Sequence, residues 1–230
     1  MNNSKKLSFI EIIFKSVFGI LFILGFNPLL TGRWNYWQGW IFSAVMIIIA
    51  VIIFILFRNK LDLIRERMNP GPGVKWWDKI IFNSFSVFVL IAWVIAVFDT
   101  GRFNWSAGFT FWGYVASYLL FLFSIFMFTW PMLVNKWFSS MVRIQDDRKQ
   151  QVCQDGPYKY IRHPGYTGGI LMMFSIGLVF GSFWALIPGG IAAMLLILRT
   201  HLEDKTLQRE LPGYLEYTRK VKYKLIPGVW

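Results

Sequence analysis

The residues whose types and spacing could support chemistry lie in one short stretch of the chain. Residues 156–166 read Gly-Pro-Tyr-Lys-Tyr-Ile-Arg-His-Pro-Gly-Tyr. Pro164 favours the first turn of a helix, and the cations Arg162 and His163 come just before it. Cations oppose the dipole at the start of a helix unless an anion binds the free N–H groups there. From these residues alone, the stretch is either a basic flank on the inner side of a membrane helix or a turn that binds an anion at the mouth of the apolar run that follows.

A second pair of polar residues follows one predicted helical hairpin later. Arg199 and Glu203 are one turn apart on the same helix face, so they either pair with each other or point at one ligand. An arginine at the boundary of a membrane segment is costly, which makes Arg199 a functional candidate. His201 falls on another face and is interpreted as structural.

The composition indicates a membrane protein, because 56% of the 230 residues are hydrophobic and 19% are aromatic. Apolar segments run over residues 9–30, 36–57, 80–98, 109–133, 166–181 and 183–199. Several reach the roughly 20 residues that cross about 30 Å of hydrocarbon. The sequence therefore predicts an all-α, polytopic integral membrane helix bundle with about six transmembrane segments.

The last two apolar segments are shorter and meet at Gly181-Ser182. We expect a tight helical hairpin there, in which Gly177 and Gly181 form a face of small residues. Ala192 and Ala193 would permit close approach of the second helix. A re-entrant hairpin that does not fully cross the bilayer is the alternative.

The formal charge of +12 is interpreted as a signal of topology. If the N-terminus is inside, the inner segments 58–79, 134–165 and 200–230 hold most Lys and Arg residues, while the outer loops hold Arg33 and Arg102. The positive-inside rule then predicts a multi-pass protein with both termini and the active site on the cytosolic side. Membrane lipids with anionic headgroups are expected partners, and nucleic acid is not.

Metal and common nucleotide sites are not expected. A single cysteine, Cys153, and two histidines leave too few ligands for a metal centre. No Gly-x-Gly-x-x-Gly follows a strand, so a nucleotide cofactor would need a site of another kind. Residues 143–165 carry enough donors and acceptors to hold an adenosine, although such a charged run is more often a solvated face.

Four motifs in order carry a family resemblance. After residues 156–166 come Arg199-x-x-x-Glu203-Asp204, Leu211-Pro212-Gly213-Tyr214-x-x-Tyr217 and Ile226-Pro227-Gly228-Val229-Trp230. This set resembles the isoprenylcysteine carboxyl methyltransferase family, within a wider group that includes phospholipid methyltransferases. The resemblance covers about residues 135–230, whereas the first 130 match only as membrane helices.

The resemblance implies S-adenosyl-L-methionine as the cofactor. It assigns cofactor contacts to Gln150, Gln151, Val152, Cys153, Tyr158, His163, Pro164, Gly165, Tyr166 and Glu203. Residues 150–153 match the family poorly in type, so backbone contacts are expected there. It further implies that Arg199 binds the methyl-accepting carboxylate and that Glu203 faces the cofactor, which makes these two the candidate catalytic residues.

The predicted reaction is a methyl transfer to a lipophilic, prenylcysteine-like substrate. Transfer from a sulfonium to an ionised carboxylate needs no metal and no general base, and it depends mainly on alignment of the two reactants. The planar fork of Arg199 suits a carboxylate. An amine acceptor would instead need a base, and Glu203 or His163 could serve.

Residues 1–134 are predicted to form four spans with the inner loop 58–79. Residues 135–230 are predicted to form the cofactor-binding core, with the hairpin 166–199 and a cytosolic tail, integrated with the first part in one domain. The alternatives to carboxyl methylation are a phospholipid or lipid-amine N-methyltransferase, an NADPH-dependent sterol-reductase-like enzyme, and a non-enzymatic transporter or lipid-binding protein.

The predicted topology can be tested with reporter fusions after Lys79, Lys149 and Trp230. All three should report a cytoplasmic position, because the basic segments stay on that side. A periplasmic or luminal signal at Trp230 would contradict both the six-span topology and the full hairpin.

Overall fold

The computed structural model describes residues 9–230, and it describes residues 9–17, 20 and 23 by their backbone only. Within that range the chain folds into α-helices, 3₁₀ turns and one π-helical turn, without strands. The helices are α1 (Phe9–Thr31), α2 (Trp37–Phe57), α3 (Leu61–Met68), α4 (Trp76–Phe98), α5 (Phe111–Val134), α6 (Pro164–Leu178), α7 (Leu186–Glu210) and α8 (Tyr214–Lys220). The all-α prediction is confirmed.

Long apolar helices dominate the described part of the chain. Four segments there are long and apolar enough to cross a membrane: Trp37–Phe57, Trp76–Phe103, Phe111–Val134 and Leu186–Glu210. Their outer faces leave large apolar side chains such as Leu119 and Phe123 more than half exposed, as contact with hydrocarbon requires. The chain is therefore a membrane protein, while six spans and cytosolic termini remain predictions.

Helices α6 and α7 form the predicted hairpin. A Cβ on Gly177 would lie 2.6 Å from the Cβ of Ala185, so this glycine permits the tight return of the chain. Ala192 and Ala193 are buried, as expected for close approach. The prediction of a helix face that includes Gly181 is wrong, because Gly181 lies beyond the end of α6 and has a φ of +85°. It forms the turn instead.

The tip of the hairpin is fastened to the connection between α4 and α5. Ser182 Oγ donates to Asp99 Oδ2 at 2.6 Å, and Ser106 donates to the same carboxylate through its backbone N–H at 2.7 Å. The N–H of Phe183 donates to Ser106 Oγ at 2.9 Å. All these groups lie at the end of the bundle where α4 ends, so the hairpin extends along the full height of α4.

The backbones of α5 and α6 approach each other closely at Gly168. A Cβ on Gly168 would lie 2.5 Å from the backbone nitrogen of Phe128. Pro164 opens α6, as predicted. Helix α7 extends beyond the apolar segment that ends at residue 199, as the prediction of Arg199 and Glu203 on one helix face requires. Thr200, Asp204 and Thr206 are buried there, while His201 and Lys205 are exposed. The helix therefore carries Arg199 and Glu203 on one continuous scaffold.

A buried ion pair attaches α3 to the segment that follows α5. Arg143 donates to both carboxylate oxygens of Glu66 at 2.9 Å, and its Nη1 donates to Asp147 at 2.7 Å. The hydrogen bond from Arg143 lowers the pKa of Asp147. The Arg143 guanidinium is thus engaged by two carboxylates within the protein.

Replacing Gly168 by alanine should destabilise the protein, since the new methyl group would meet the backbone of α5. Gly190→Ala in α7 is the matched control, because nothing lies within 4 Å of its added Cβ and alanine favours a helix. Thermal unfolding in detergent should show a clear fall in Tm for Gly168→Ala alone. Equal melting temperatures of the two variants would contradict the close contact of α5 and α6.

Candidate functional site

One cavity of about 410 Å³ gathers nearly all of the predicted site residues. Its volume is within the usual range for small-molecule sites. The predicted residues that line it are Gln150, Gln151, Val152, Cys153, Tyr158, His163, Gly165, Tyr166, Arg199 and Glu203. Pro164 is buried at the start of α6 and does not line the cavity. The cavity lies at the end of the bundle where α4 begins and α5 ends.

Asp204 organises the turn before α6. Its carboxylate, which is almost fully buried, accepts hydrogen bonds from Arg162 Nε at 2.8 Å and from the Tyr214 hydroxyl at 3.0 Å. His163 Nε2 lies 3.1 Å from Asp204 Oδ1, and Gln208 Nε2 donates to Oδ2 at 2.8 Å. The positive charge of Arg162 before α6 is therefore compensated by this internal carboxylate.

Arg162 is a structural residue of this turn. Its Nη1 donates to the carbonyl oxygens of Val221 and Lys222, each at 2.8 Å, while Nε and Nη2 hold Asp204. The backbone N–H groups of Arg162 and His163 donate to Tyr223 and Lys224. The tail after α8 thus fixes the turn, so that the His163 ring is held beside the ring of Tyr166 at 5.9 Å between centroids.

Tyrosine hydroxyls and an extended backbone form one wall of the cavity. Asn135 Nδ2 donates to the Tyr158 hydroxyl at 3.1 Å, and Tyr217 donates to the Tyr158 carbonyl at 2.6 Å. Burial raises the pKa of Tyr158 far above its ordinary value, so its hydroxyl stays neutral. Residues 151–153 make no backbone hydrogen bond within the part of the chain that the structure describes. Their N–H and C=O groups are free to bind a ligand.

A hydrogen bond joins Tyr166 and Glu203, both of which the resemblance assigned to the cofactor site. The Tyr166 hydroxyl donates to Glu203 Oε2 across the space between α6 and α7. Glu203 has no Lys, Arg or His ion-pair partner among the described residues. It is therefore the carboxylate of the cavity that remains available to a cation.

Arg199 is paired with Asp78 and not with Glu203. Its Nε and Nη2 donate to the two oxygens of Asp78 at 2.6 and 2.9 Å, and Nη2 also donates to the Ser140 carbonyl at 2.7 Å. The guanidinium lies between the rings of Phe82 and Tyr166. The alternative in which Arg199 and Glu203 pair with each other is wrong. The two Nη1 hydrogens of Arg199 have no described partner.

Two residues that support or line the cavity were not predicted from the sequence. Asp78 lies in the first turn of α4, and it is fully buried. An acidic residue at the head of an apolar helix was the available signal, because a buried carboxylate needs a partner. Arg67 lines the cavity from α3, where it was counted only as one of many inner cations.

Gly165 is in contact with an aromatic wall of the cavity. A Cβ at this position would lie 2.6 Å from Cζ of Phe138. The ring of Phe138 in turn packs edge-on against Phe128, with centroids 5.8 Å apart. A glycine at residue 165 therefore lets the Phe138 ring lie directly on the first turn of α6.

Comparison with known proteins supports the resemblance found in the sequence. Residues 112–212 match the family model for phospholipid methyltransferase. No curated protein matched the chain. The matched region runs from α5 to the end of α7 and contains every site residue that was predicted. The match agrees with the resemblance of this part of the chain to the wider phospholipid and isoprenylcysteine membrane methyltransferase group.

Replacing Asp78 by asparagine should strongly destabilise the protein, since it leaves the Arg199 charge buried without its counter-ion. Removing one partner of a buried pair typically costs about 3–5 kcal/mol. Asp62→Asn is the control, because that carboxylate is 87% exposed and pairs with Arg65 at the surface. Chemical denaturation in detergent should show a large loss for Asp78→Asn only. Similar stabilities of the two variants would contradict the role of the Asp78–Arg199 pair.

Proposed function

We propose that the protein is an S-adenosyl-L-methionine-dependent methyltransferase that O-methylates a carboxylate on a lipophilic, prenylcysteine-like acceptor at the cytosolic face of its membrane. One observation carries this proposal. In a single cavity, the unpaired carboxylate of Glu203 faces the same space as an arginine that has two free N–H groups. A cationic donor and an anionic acceptor can therefore be bound side by side.

The residues on the Tyr158 side of the cavity fit the proposed cofactor. Glu203 offers a negative charge, Tyr158 offers a neutral hydroxyl and an aromatic face, and residues 151–153 offer free backbone groups. These are the acceptors, donors and apolar surface that an amino acid joined to an adenosine requires. When bound, the cofactor supplies a methyl group on a positively charged sulfur.

The residues on the other side of the cavity fit a lipid chain. Phe82, Phe85 and Val89 lie along one face of α4, and Met172 and Ile176 lie along α6. From Phe82 to Val89 this surface extends about 10 Å along the helix axis. An acceptor with a hydrocarbon chain could bury that chain here and place its polar end beside Arg199. Entry from the bilayer follows from the position of these residues on membrane helices.

Arg199 is proposed to orient the acceptor carboxylate. Asp78 and the Ser140 carbonyl hold the guanidinium in one position, so the remaining Nη1 donors point in a fixed direction before the acceptor binds. An ionised carboxylate already carries the attacking electron pair, so no side chain has to remove a proton. The contribution of the residues is alignment and exclusion of water, which can supply about 7–11 kcal/mol.

N-methylation of a lipid amine is the second candidate, and the match to the phospholipid methyltransferase family favours it. An ammonium acceptor must lose a proton before it can attack. Glu203 is the candidate base, because Tyr166 is its only described hydrogen-bond partner. In this alternative the arginines of the cavity would face the phosphate of the headgroup.

Calorimetric titration of the detergent-solubilised protein should show binding of S-adenosylmethionine and no binding of NADPH. Glu203→Gln retains the shape and the hydrogen bond from Tyr166 but removes the charge. It should weaken S-adenosylhomocysteine binding roughly ten- to a hundredfold, as expected for loss of a charged hydrogen bond of about 1.5–3 kcal/mol. His201→Ala is the control, since His201 is exposed and lies outside the cavity.

Binding of NADPH alone would overturn the proposed function, and equal effects of Glu203→Gln and His201→Ala would overturn the position of the cofactor. Turnover on a prenylcysteine analogue supports a carboxylate acceptor. Turnover only on phosphatidylethanolamine would replace O-methylation by the second candidate.

A further inference from the structure

A second arginine reaches the cavity from outside the region that matches the family model. Arg67 lies in the last turn of α3, and its guanidinium carbon is 5.1 Å from the centre of the Phe138 ring and 5.6 Å from that of Phe128. Both rings and Arg67 line the cavity. The side chain is thus held between aromatic surfaces with its charged end at the ligand space.

Arg67 has no acidic partner among the residues that the structure describes. Its side-chain hydrogen bond to the Ser139 carbonyl is long, with Nη1 and the oxygen 3.5 Å apart. The other three arginines that line the same end of the bundle are each paired with a buried carboxylate: Arg143 with Glu66, Arg162 with Asp204 and Arg199 with Asp78. Arg67 therefore differs from its neighbours in carrying an uncompensated charge.

The surroundings of Arg67 make this charge costly. Burial, together with the nearby positive charge of Arg199, lowers the pKa of Arg67 to about 10. A guanidinium in a poorly solvated cavity is stabilised by an anion that accepts its hydrogen bonds. The rings of Phe128 and Phe138 offset only part of the lost hydration. The site is thus prepared for an anion that comes from outside the described chain.

We propose that Arg67 binds an anionic group of the methyl acceptor, a carboxylate or the phosphate of a lipid headgroup, by a two-pronged hydrogen bond. This inference rests on the proposed methyltransferase function. Arg199 spends three of its five donors on Asp78 and Ser140, whereas Arg67 keeps at least four for a ligand. Arg67 is therefore the stronger binding group of the two, and Arg199 directs the acceptor with its remaining Nη1 donors.

The position of Arg67 favours the acceptor over the cofactor as its ligand. Arg67 lies close to Arg199, the residue that is proposed to orient the acceptor, and the positive charge of Arg199 contributes to the lowered pKa of Arg67. Phe128, against which Arg67 packs, lines the same cavity as the apolar residues that are proposed to hold the lipid chain. An anion on Arg67 is thus placed at the polar end of that chain.

The test compares Arg67→Gln and Arg67→Lys with wild type and with Arg65→Gln. Arg65 is a control on the same helix, where it pairs with Asp62 at the surface. Two matched pairs of probes are titrated in the presence of S-adenosylhomocysteine, which prevents turnover. The first pair is a prenylcysteine carboxylate and its carboxamide, and the second is phosphatidylethanolamine and diacylglycerol.

In one of the two pairs, wild type and Arg65→Gln should prefer the member that carries the carboxylate or the phosphate. In Arg67→Gln that preference should fall roughly ten- to a hundredfold, and in Arg67→Lys it should fall less, because lysine keeps the charge but loses the fork. The pair that responds identifies carboxylate or phosphate as the anion. The affinity for S-adenosylhomocysteine should be the same in all four proteins.

A preference equal to that of wild type in Arg67→Gln would overturn the proposal. If Arg67→Gln does not fold, an undiminished preference in Arg67→Lys overturns it equally. A parallel loss of S-adenosylhomocysteine affinity would assign Arg67 to the cofactor and also overturn it. Failure of the wild-type protein to bind S-adenosylhomocysteine is a separate result, which contradicts the proposed function itself.

Discussion

The buried ion pair between Asp78 and Arg199 is the interaction on which the rest of the site depends. It joins the first turn of α4 to the middle of α7, and through the N–H of Val142 and the carbonyl of Ser140 it also holds the segment after α5. Buried charges lose their hydration. In this pair, two parallel hydrogen bonds between the partners and further hydrogen bonds to each of them compensate for that loss. Three walls of the cavity are therefore fixed by one pair of side chains.

Asp204 performs a comparable task one turn further along α7. It is surrounded by donors from the turn before α6, from α7 itself and from α8, so the sequence motifs at residues 156–166 and 211–217 meet at one carboxylate. Their order in the sequence thus has a physical reason. The polar residues of these motifs mostly support one another, while Tyr158 and Tyr166 line the cavity together with Glu203 of α7.

The local pattern of the sequence predicted the helical fold, because apolar periodicity and the proline at α6 are properties of neighbouring residues. The residues that line the cavity were assigned by the family resemblance and not by that pattern. The partners of the arginines could not be predicted in this way. Arg199 and Asp78 are 121 positions apart, and any of several inner acids would have satisfied a charge count. Arg67 was not predicted either, because the positive-inside rule already explains a cation near the end of a membrane helix. The role of Gly168 depends on the backbone of another helix, which no pattern around residue 168 reveals.

The hydrogen bond between Asp99 and Ser182, together with the ion pair at the other end of α4, restricts how α4 can move against the hairpin. Asp78 and Asp99 are separated by about 30 Å along the helix, and both are bound to the hairpin, one through Arg199 and the other through Ser182. A shear of α7 along α4 by a single turn would break buried polar contacts at both ends at once. Contacts at both ends therefore hold these two helices in one register, and conformational changes of the protein must leave that register intact.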